Sequence, residues 1–209
     1  MPHQKIPAFC PVDRWFLRSM ALVGWLGCVA VIVGLVVAQM MVPEHDWIAD
    51  TISDLAAGEN EIIMDVALYG FAASFFAVAL GLAHVRGDGW PLPMAALSMA
   101  GIAALIVVIG ARNEYGDNDS DGVVIHVYLV YVLGALMAAA PFLAAPYAQV
   151  VRPFLGTALR VLGALWIVAA PVFFFLPTGI DGLYERALGG LACAIVAVLS
   201  TVLWRVAQD

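Results

Sequence analysis

Carboxylate side chains at alternate positions, closed by a glycine, give the sequence its clearest sign of metal chemistry. Asp117, Asp119 and Asp121 precede Gly122 in the pattern D-x-D-x-D-G, with which calcium loops begin. The bidentate acid of an EF-hand would stand at the twelfth position, which is a tyrosine here, so an EF-hand is excluded. One interpretation is a divalent cation, calcium or zinc, with His126 as a further ligand. The other is a polar turn that caps the following helix.

A second acidic segment repeats its aspartates every four residues. Asp46, Asp50 and Asp54 would share one face of a helix, with Ile48 and Ile52 on the other. This spacing predicts a short amphipathic helix lying at a membrane interface. Like charges four residues apart destabilise a helix by about 0.2–0.5 kcal/mol per pair, so the row favours a nearby metal, substrate amine or arginine. The alternative is an acidic face that water and salt keep solvated.

Other ionisable residues near these segments could bind or process a ligand. Asp65 and His126 each lie about one turn into an apolar run, where a buried charge is costly and needs a partner. Arg112 and Arg186 could pair with the surrounding acids or recognise an anionic headgroup. His126 could ligate a metal, act as a general acid or base, or donate to a neighbouring carbonyl or carboxylate.

Apolar runs long enough to cross a bilayer separate these residues. Of the 209 residues, 64% are apolar and 12% charged, against about 45–50% and about a quarter in soluble domains. The runs lack the alternation of a β-barrel, and a backbone in lipid must satisfy its own hydrogen bonds, so we expect helices. The sequence therefore predicts an all-α, single-domain membrane bundle of six transmembrane helices. They cover residues 17–42, 62–85, 93–111, 123–145, 156–176 and 184–204.

Basic residues divide unequally between the two sides of such a bundle. With six spans both termini share one side, which collects seven of the nine Lys and Arg residues. The positive-inside rule then places both termini in the cytoplasm of a bacterial-type plasma membrane. Thirteen of the 16 acidic residues fall on the outer side, in or next to three loops. We therefore expect specific function at the outer face.

Several classes of function are excluded or unsupported by the sequence. The formal net charge is −7 and no basic stripe is present, so a nucleic-acid partner is not expected. The chain has no P-loop, H-E-x-x-H, C-x-x-C or G-x-S-x-G motif in a suitable context. Its three cysteines lie in the N-terminal tail and inside apolar runs, so we expect no disulfide.

Three short segments, in this order and on one predicted face, carry a resemblance to a known family. They are Ile52-Ser53-Asp54-Leu55, His126 after an acidic turn, and Gly182-Leu183-Tyr184-Glu185-Arg186. Over residues 17–204 the chain resembles the uncharacterised six-span membrane proteins designated domain of unknown function 998. The resemblance implies that Asp54, His126, Glu185 and Arg186 belong to one outer-face site. Members often continue I-S-D-L with glycine, where this chain has Ala56.

Three functions stay open at this point, as does the question whether the protein is an enzyme. The first is a pocket that binds or processes a membrane lipid headgroup or a small amphiphile, in which a metal or an arginine holds the anionic part and His126 or an aspartate moves protons. In one version Ser53 beside Asp54 is a nucleophile served by His126. The second is a non-catalytic subunit packed beside other membrane protein subunits, and the third is proton or ion movement through Asp65 and His126. The predicted cluster consists of Asp50, Asp54, Asp65, Arg112, Glu114, Glu185 and Arg186, with Asp54 and His126 as candidate catalytic residues.

Overall fold

Six long helices make up most of the chain described by the computed structural model. The described residues are 13–43, 45–56, 61–85, 87, 89–110, 125–177 and 179–208, with only the backbone described at 125 and 126. They contain no strand, and the predicted all-α bundle is confirmed. The helices are α1 (Arg14–Met41), α2 (Ile52–Leu55), α3 (Glu61–His84), α4 (Pro91–Gly110), α5 (Ile125–Val151), α6 (Pro153–Val172), a 3₁₀ turn (Phe173–Phe175) and α7 (Asp181–Val206).

Every helix except α2 and the 3₁₀ turn is long and apolar enough to cross a membrane. The protein is therefore a multi-pass integral membrane protein. Helix α5 continues through Pro141 and Pro146 to Val151, beyond the predicted end at residue 145. Membrane helices tolerate internal prolines because neighbouring helices re-satisfy the freed backbone groups. At Arg152 the backbone is extended, which ends the helical path between α5 and α6. Pro153 then starts α6 at a position where proline is favoured.

Small residues bring α1 close to its neighbours. A Cβ at Gly27 would lie 2.5 Å from both the carbonyl oxygen of Gly70 and the Cβ of Ser74 on α3. A Cβ at Gly24 would collide with the hydroxyl of Ser200 on α7. Without a hydrophobic driving force in lipid, such close backbone approach supplies the van der Waals contact that holds helices together. Helix α1 therefore packs along α3 and also against α7.

The two ends of the bundle differ in their contacts. At one end, which we call the terminal end, the backbone N–H of Asp13 donates to His84 Nε2 at 3.1 Å. Arg18 donates to the carbonyl oxygen of Ala207 at 3.4 Å, so both ends of the described chain meet there. At the other end, which we call the α2 end, residues 45–56 cover the helices. The N–H of Leu183 donates to the carbonyl oxygen of Ile48 at 2.9 Å and joins the start of α7 to this segment.

Candidate functional site

Residues 45–56, called loop 1 below, use their aspartates to fix their own backbone. Asp46 accepts from the N–H of Ile48 at 2.9 Å. Asp50 accepts from the N–H of Asp46 at 2.8 Å. Asp54 accepts from both the N–H and the hydroxyl of Thr51, each at 2.7 Å, and closes a capping box at the start of α2. The carboxylates of the aspartate row therefore bind neighbouring backbone donors.

This arrangement differs from the helix face expected for the aspartate row. The predicted short helix of the first loop is present, but α2 covers only four residues and of the three aspartates contains only Asp54. Asp46 and Asp50 lie in the turn that precedes it. Aspartate side chains compete with helical hydrogen bonding by binding nearby N–H groups, and this local bonding replaces the longer helix here.

Arg186 lies at the centre of the α2 end and donates all five of its N–H groups. Nη1 donates to the carbonyl oxygens of Asp50 at 2.7 Å and Gly182 at 2.8 Å. Nη2 donates to His45 Nε2 at 2.9 Å. The amide oxygen of Gln39, assigned toward the guanidinium because the reverse would oppose two donors, accepts from Nε at 2.8 Å and Nη2 at 3.0 Å. Since arginine has five N–H donors, no donor of this guanidinium is left over.

His45 connects the guanidinium to a carboxylate. Its side chain is only 4% exposed, and its Nδ1 lies 3.3 Å from Asp50 Oδ2. Arg186 can only donate, so His45 Nε2 must accept and the imidazole hydrogen sits on Nδ1, facing Asp50. The imidazole is therefore neutral in this arrangement.

Glu185 joins α7 to α2. Its Oε2 accepts from the N–H of Ile52 at 2.6 Å, at the first residue of α2. Gly182, one turn earlier on the same helix, lies so close to loop 1 that a Cβ there would collide with the carbonyl oxygen of Asp50. Glycine is required at this position because two backbones meet. We call Gln39, His45, Asp50, Glu185 and Arg186, with the backbone of residues 50–53 and 182, the clasp.

The structure brings four of the residues predicted to form one site together. These four lie at the α2 end, where the carboxyl groups of the three acids act electrostatically on the guanidinium. They are Asp50, Asp54, Glu185 and Arg186. Asp65 is half-buried, one turn into α3. Arg112, Glu114, Asp117, Asp119 and Asp121 lie outside the described residues, as does the side chain of His126. Within the part of the chain that is described, no three His, Cys, Asp or Glu side chains are grouped so that they could hold a metal ion.

Two members of the clasp are absent from the predicted cluster. Gln39 is a strongly polar residue near the end of the long apolar run of α1, which is a signal for a partner inside the bundle. His45 stands in the same acidic segment as Asp50. Its role depends on a guanidinium 141 residues away, and nothing in the local sequence indicates that contact.

A cavity of about 510 Å³ extends from the clasp into the bundle. Its walls come from all six long helices and are almost entirely apolar, with Phe71, Ile106, Met137 and Leu188 among them. The charged and hydroxyl residues that line it are Thr51, Ser53, Glu185 and Arg186, and all four belong to loop 1 or the first turns of α7. The cavity therefore has one polar end and an apolar body.

A groove of about 430 Å³ lies beside this cavity, between α5 and α6. The two spaces share lining residues, which form the wall between them. Within this wall the indole N–H of Trp166 donates to the carbonyl oxygen of Gly134 at 3.0 Å, across the two helices. The shared residues are Val130, Gly134, Trp166, Ala170 and Phe174.

The family model described as protein of unknown function, DUF998, matches residues 25–202. The chain belongs to the DUF998 family. The matched region contains every residue of the clasp and nearly the whole bundle, so both are part of the DUF998 domain. No curated protein and no solved structure matches the chain.

Proposed function

We propose that this DUF998 protein binds a single-chain amphiphile in its cavity, with the polar head against the clasp and the chain among the helices. The observation that carries the proposal is the division of the cavity into one polar end and an apolar body. An amphiphile, with one polar head and an apolar chain, matches this division. The volume of the cavity, about 510 Å³, falls in the range of sites for small molecules, roughly 300–1,000 Å³.

Two glycines support this proposal because they leave space where a side chain would fill the cavity. Gly134 on α5 and Gly190 on α7 line the cavity, and a Cβ at either position would meet nothing within 4 Å. Glycine inside a helix costs about 1 kcal/mol relative to alanine. No neighbouring atom lies close enough to exclude a side chain at either position, so packing does not require glycine there, and space kept for a ligand is consistent with it.

The groove between α5 and α6 supports entry of the ligand from the bilayer. The five shared residues line both this groove and the cavity, and the indole N–H of Trp166 donates to the carbonyl oxygen of Gly134 between α5 and α6 there. We propose that a lipid-soluble ligand passes between α5 and α6 when this bond opens. No path through water is needed for such a molecule.

Filling the cavity is expected to expel the ligand without unfolding the protein. In Gly190→Leu the new side chain enters open space, so we expect bound amphiphile to fall at least about tenfold with no loss of thermal stability. Native mass spectrometry of protein purified in a mild detergent measures the occupancy. Ala164→Leu is the matched control, because Ala164 is exposed on α6 away from the cavity. Equal occupancy in the two variants would contradict the proposal.

We also propose that the α2 end faces outward and that both termini lie in the cytoplasm of a bacterial-type plasma membrane, since the sequence predicts seven of the nine basic residues on the side of the termini. In a Cys10→Ala background, single cysteines replace the exposed residues Trp47 and Arg152. An impermeant maleimide is expected to label position 47 in intact cells and position 152 only after permeabilisation. The reverse pattern would contradict this orientation, while the buried Cys28 and Cys193 supply the unlabelled background.

The divalent cation stays a prediction. We propose it for Asp117, Asp119 and Asp121 with His126, on the calcium-loop pattern alone. The metal content of the purified protein before and after chelation measures it. A metal-free preparation whose melting temperature does not change on addition of calcium or zinc would remove the proposal.

A further inference from the structure

We infer that the head of the cavity ligand is a protonated amine, held by the carboxylate of Glu185 and the hydroxyl of Ser53. This inference rests on the proposed amphiphile site and adds the chemical class of its ligand. It reverses the expectation that an arginine holds an anionic headgroup.

The guanidinium of Arg186 has no free N–H donor with which to bind an anion. Phosphate and carboxylate headgroups are recognised through pairs of free N–H donors. All five donors of Arg186 are already bound, to two carbonyl oxygens, an amide and an imidazole. An anionic head would have to displace an acceptor of the clasp, and the displaced acceptor would lose its partner at the edge of the bundle.

Glu185, by contrast, keeps acceptor capacity toward the cavity. A carboxylate has about four lone-pair sites, and the hydrogen bonds that Glu185 accepts from the backbone N–H groups of Ile52 and Ser53 leave some of them unused. The side chain also lines the cavity. Ser53 lies beside it, and its exposed hydroxyl lines the same end of the cavity. The acceptors available to a ligand are thus a carboxylate and a hydroxyl oxygen.

The local charge favours a cation. The carboxyl groups of Asp50, Asp54 and Glu185 all act electrostatically on one guanidinium, and the geometry of His45 makes its imidazole neutral. Acidic side chains therefore outnumber the guanidinium three to one here. At the edge of a low-dielectric bundle such an excess attracts a cation and repels an anionic head strongly. An ammonium with three N–H donors fits a carboxylate beside a hydroxyl.

Three photoreactive probes with the same dodecyl chain test this assignment, one with an amine head, one with an alcohol and one with a carboxylate. The protein is reconstituted in nanodiscs of zwitterionic lipid, and labelling is compared at equal probe concentration in the membrane. Labelling of Gly190→Leu, whose cavity is filled, is subtracted for each probe. We expect the amine to label the cavity at least about tenfold more than the alcohol, since charge-assisted bonds are the stronger ones. The carboxylate is expected to label least.

Two variants test the partners of the amine. Glu185→Gln keeps an oxygen for the N–H of Ile52 but removes the charge, so labelling by the amine should fall about tenfold while labelling by the alcohol is unchanged. Should this variant not fold, Ser53→Lys replaces an exposed side chain and sets a cation at the same end of the cavity. In Ser53→Lys the order of the amine and carboxylate probes is expected to reverse.

The outcomes separate this inference from the proposed function. Labelling by the carboxylate probe equal to or above that by the amine overturns the amine assignment and leaves the amphiphile site standing. Labelling of wild type by all three probes at no more than the Gly190→Leu level overturns both.

Discussion

Replacing Arg186 by leucine is expected to lower the free energy of unfolding by about 1–3 kcal/mol, the cost of leaving partly buried polar groups without their hydrogen-bond donor. The substitution leaves the carbonyl oxygens of Asp50 and Gly182, the amide of Gln39 and the imidazole of His45 without a donor. It also removes the charge that offsets the surrounding carboxylates. Thermal unfolding of the detergent-solubilised protein measures the loss, and limited proteolysis within residues 45–56 reports whether loop 1 detaches.

Two further arginine variants make this result specific. Arg186→Lys keeps the charge but supplies three donors for five acceptor contacts, so it is expected to recover only part of the stability. Arg160→Leu removes an exposed arginine on α6 and should change stability by no more than about 0.5 kcal/mol. A melting temperature for Arg186→Leu equal to that of Arg160→Leu would show that the clasp does not hold the α2 end together.

Gly27→Leu is expected to abolish folding altogether. Even a single methyl group at this position would lie 2.5 Å from the backbone oxygen of Gly70 and from the Cβ of Ser74. Helices α1 and α3 would have to separate, and a backbone carbonyl cannot rotate away as a flexible side chain does. For Gly27→Ala we expect a loss of about 1–3 kcal/mol, and for leucine no monodisperse protein after extraction. Size-exclusion chromatography of a fluorescent-protein fusion measures both.

Gly134→Leu is the matched control for this variant. It is the same substitution in another membrane helix, at a position where the new Cβ meets nothing within 4 Å. The control is expected to be extracted as well as wild type. A normal elution profile for Gly27→Leu would mean that α1 and α3 do not make the close contact described above.

The six helices are predictable because each depends on a local property. Chain length and apolarity decide whether a segment crosses lipid, so α1 is found at Arg14–Met41 against a predicted 17–42. The end of α5 is less predictable, since Pro146 marks a helix end in water but not in a packed membrane helix. The terminal ends of α1 and α3 meet at a contact from the N–H of Asp13 to His84, which no sequence pattern specifies.

The candidate site is only partly predictable, for a different reason. Asp54, Glu185 and Arg186 are charged residues at the ends of apolar runs, and their types and placement indicate a common site. Two of the five acceptor contacts of Arg186 go to backbone carbonyls, which every residue possesses and which leave no trace in the sequence. The cavity cannot be predicted from the sequence either, because it depends on the open space beside Gly134 and Gly190, which only the packing of the helices determines.

The clasp has a consequence for the biogenesis of the protein. Loop 1 leaves the ribosome before its partners Glu185 and Arg186, which follow 133 to 141 residues later, on α7. During synthesis the backbone groups of loop 1 that bond to Glu185 and Arg186 therefore lack these partners until α7 is released from the translocon. In a chain truncated before α7, loop 1 would never gain its hydrogen bonds to Glu185 and Arg186, and it would stay accessible to the quality-control proteases of the membrane.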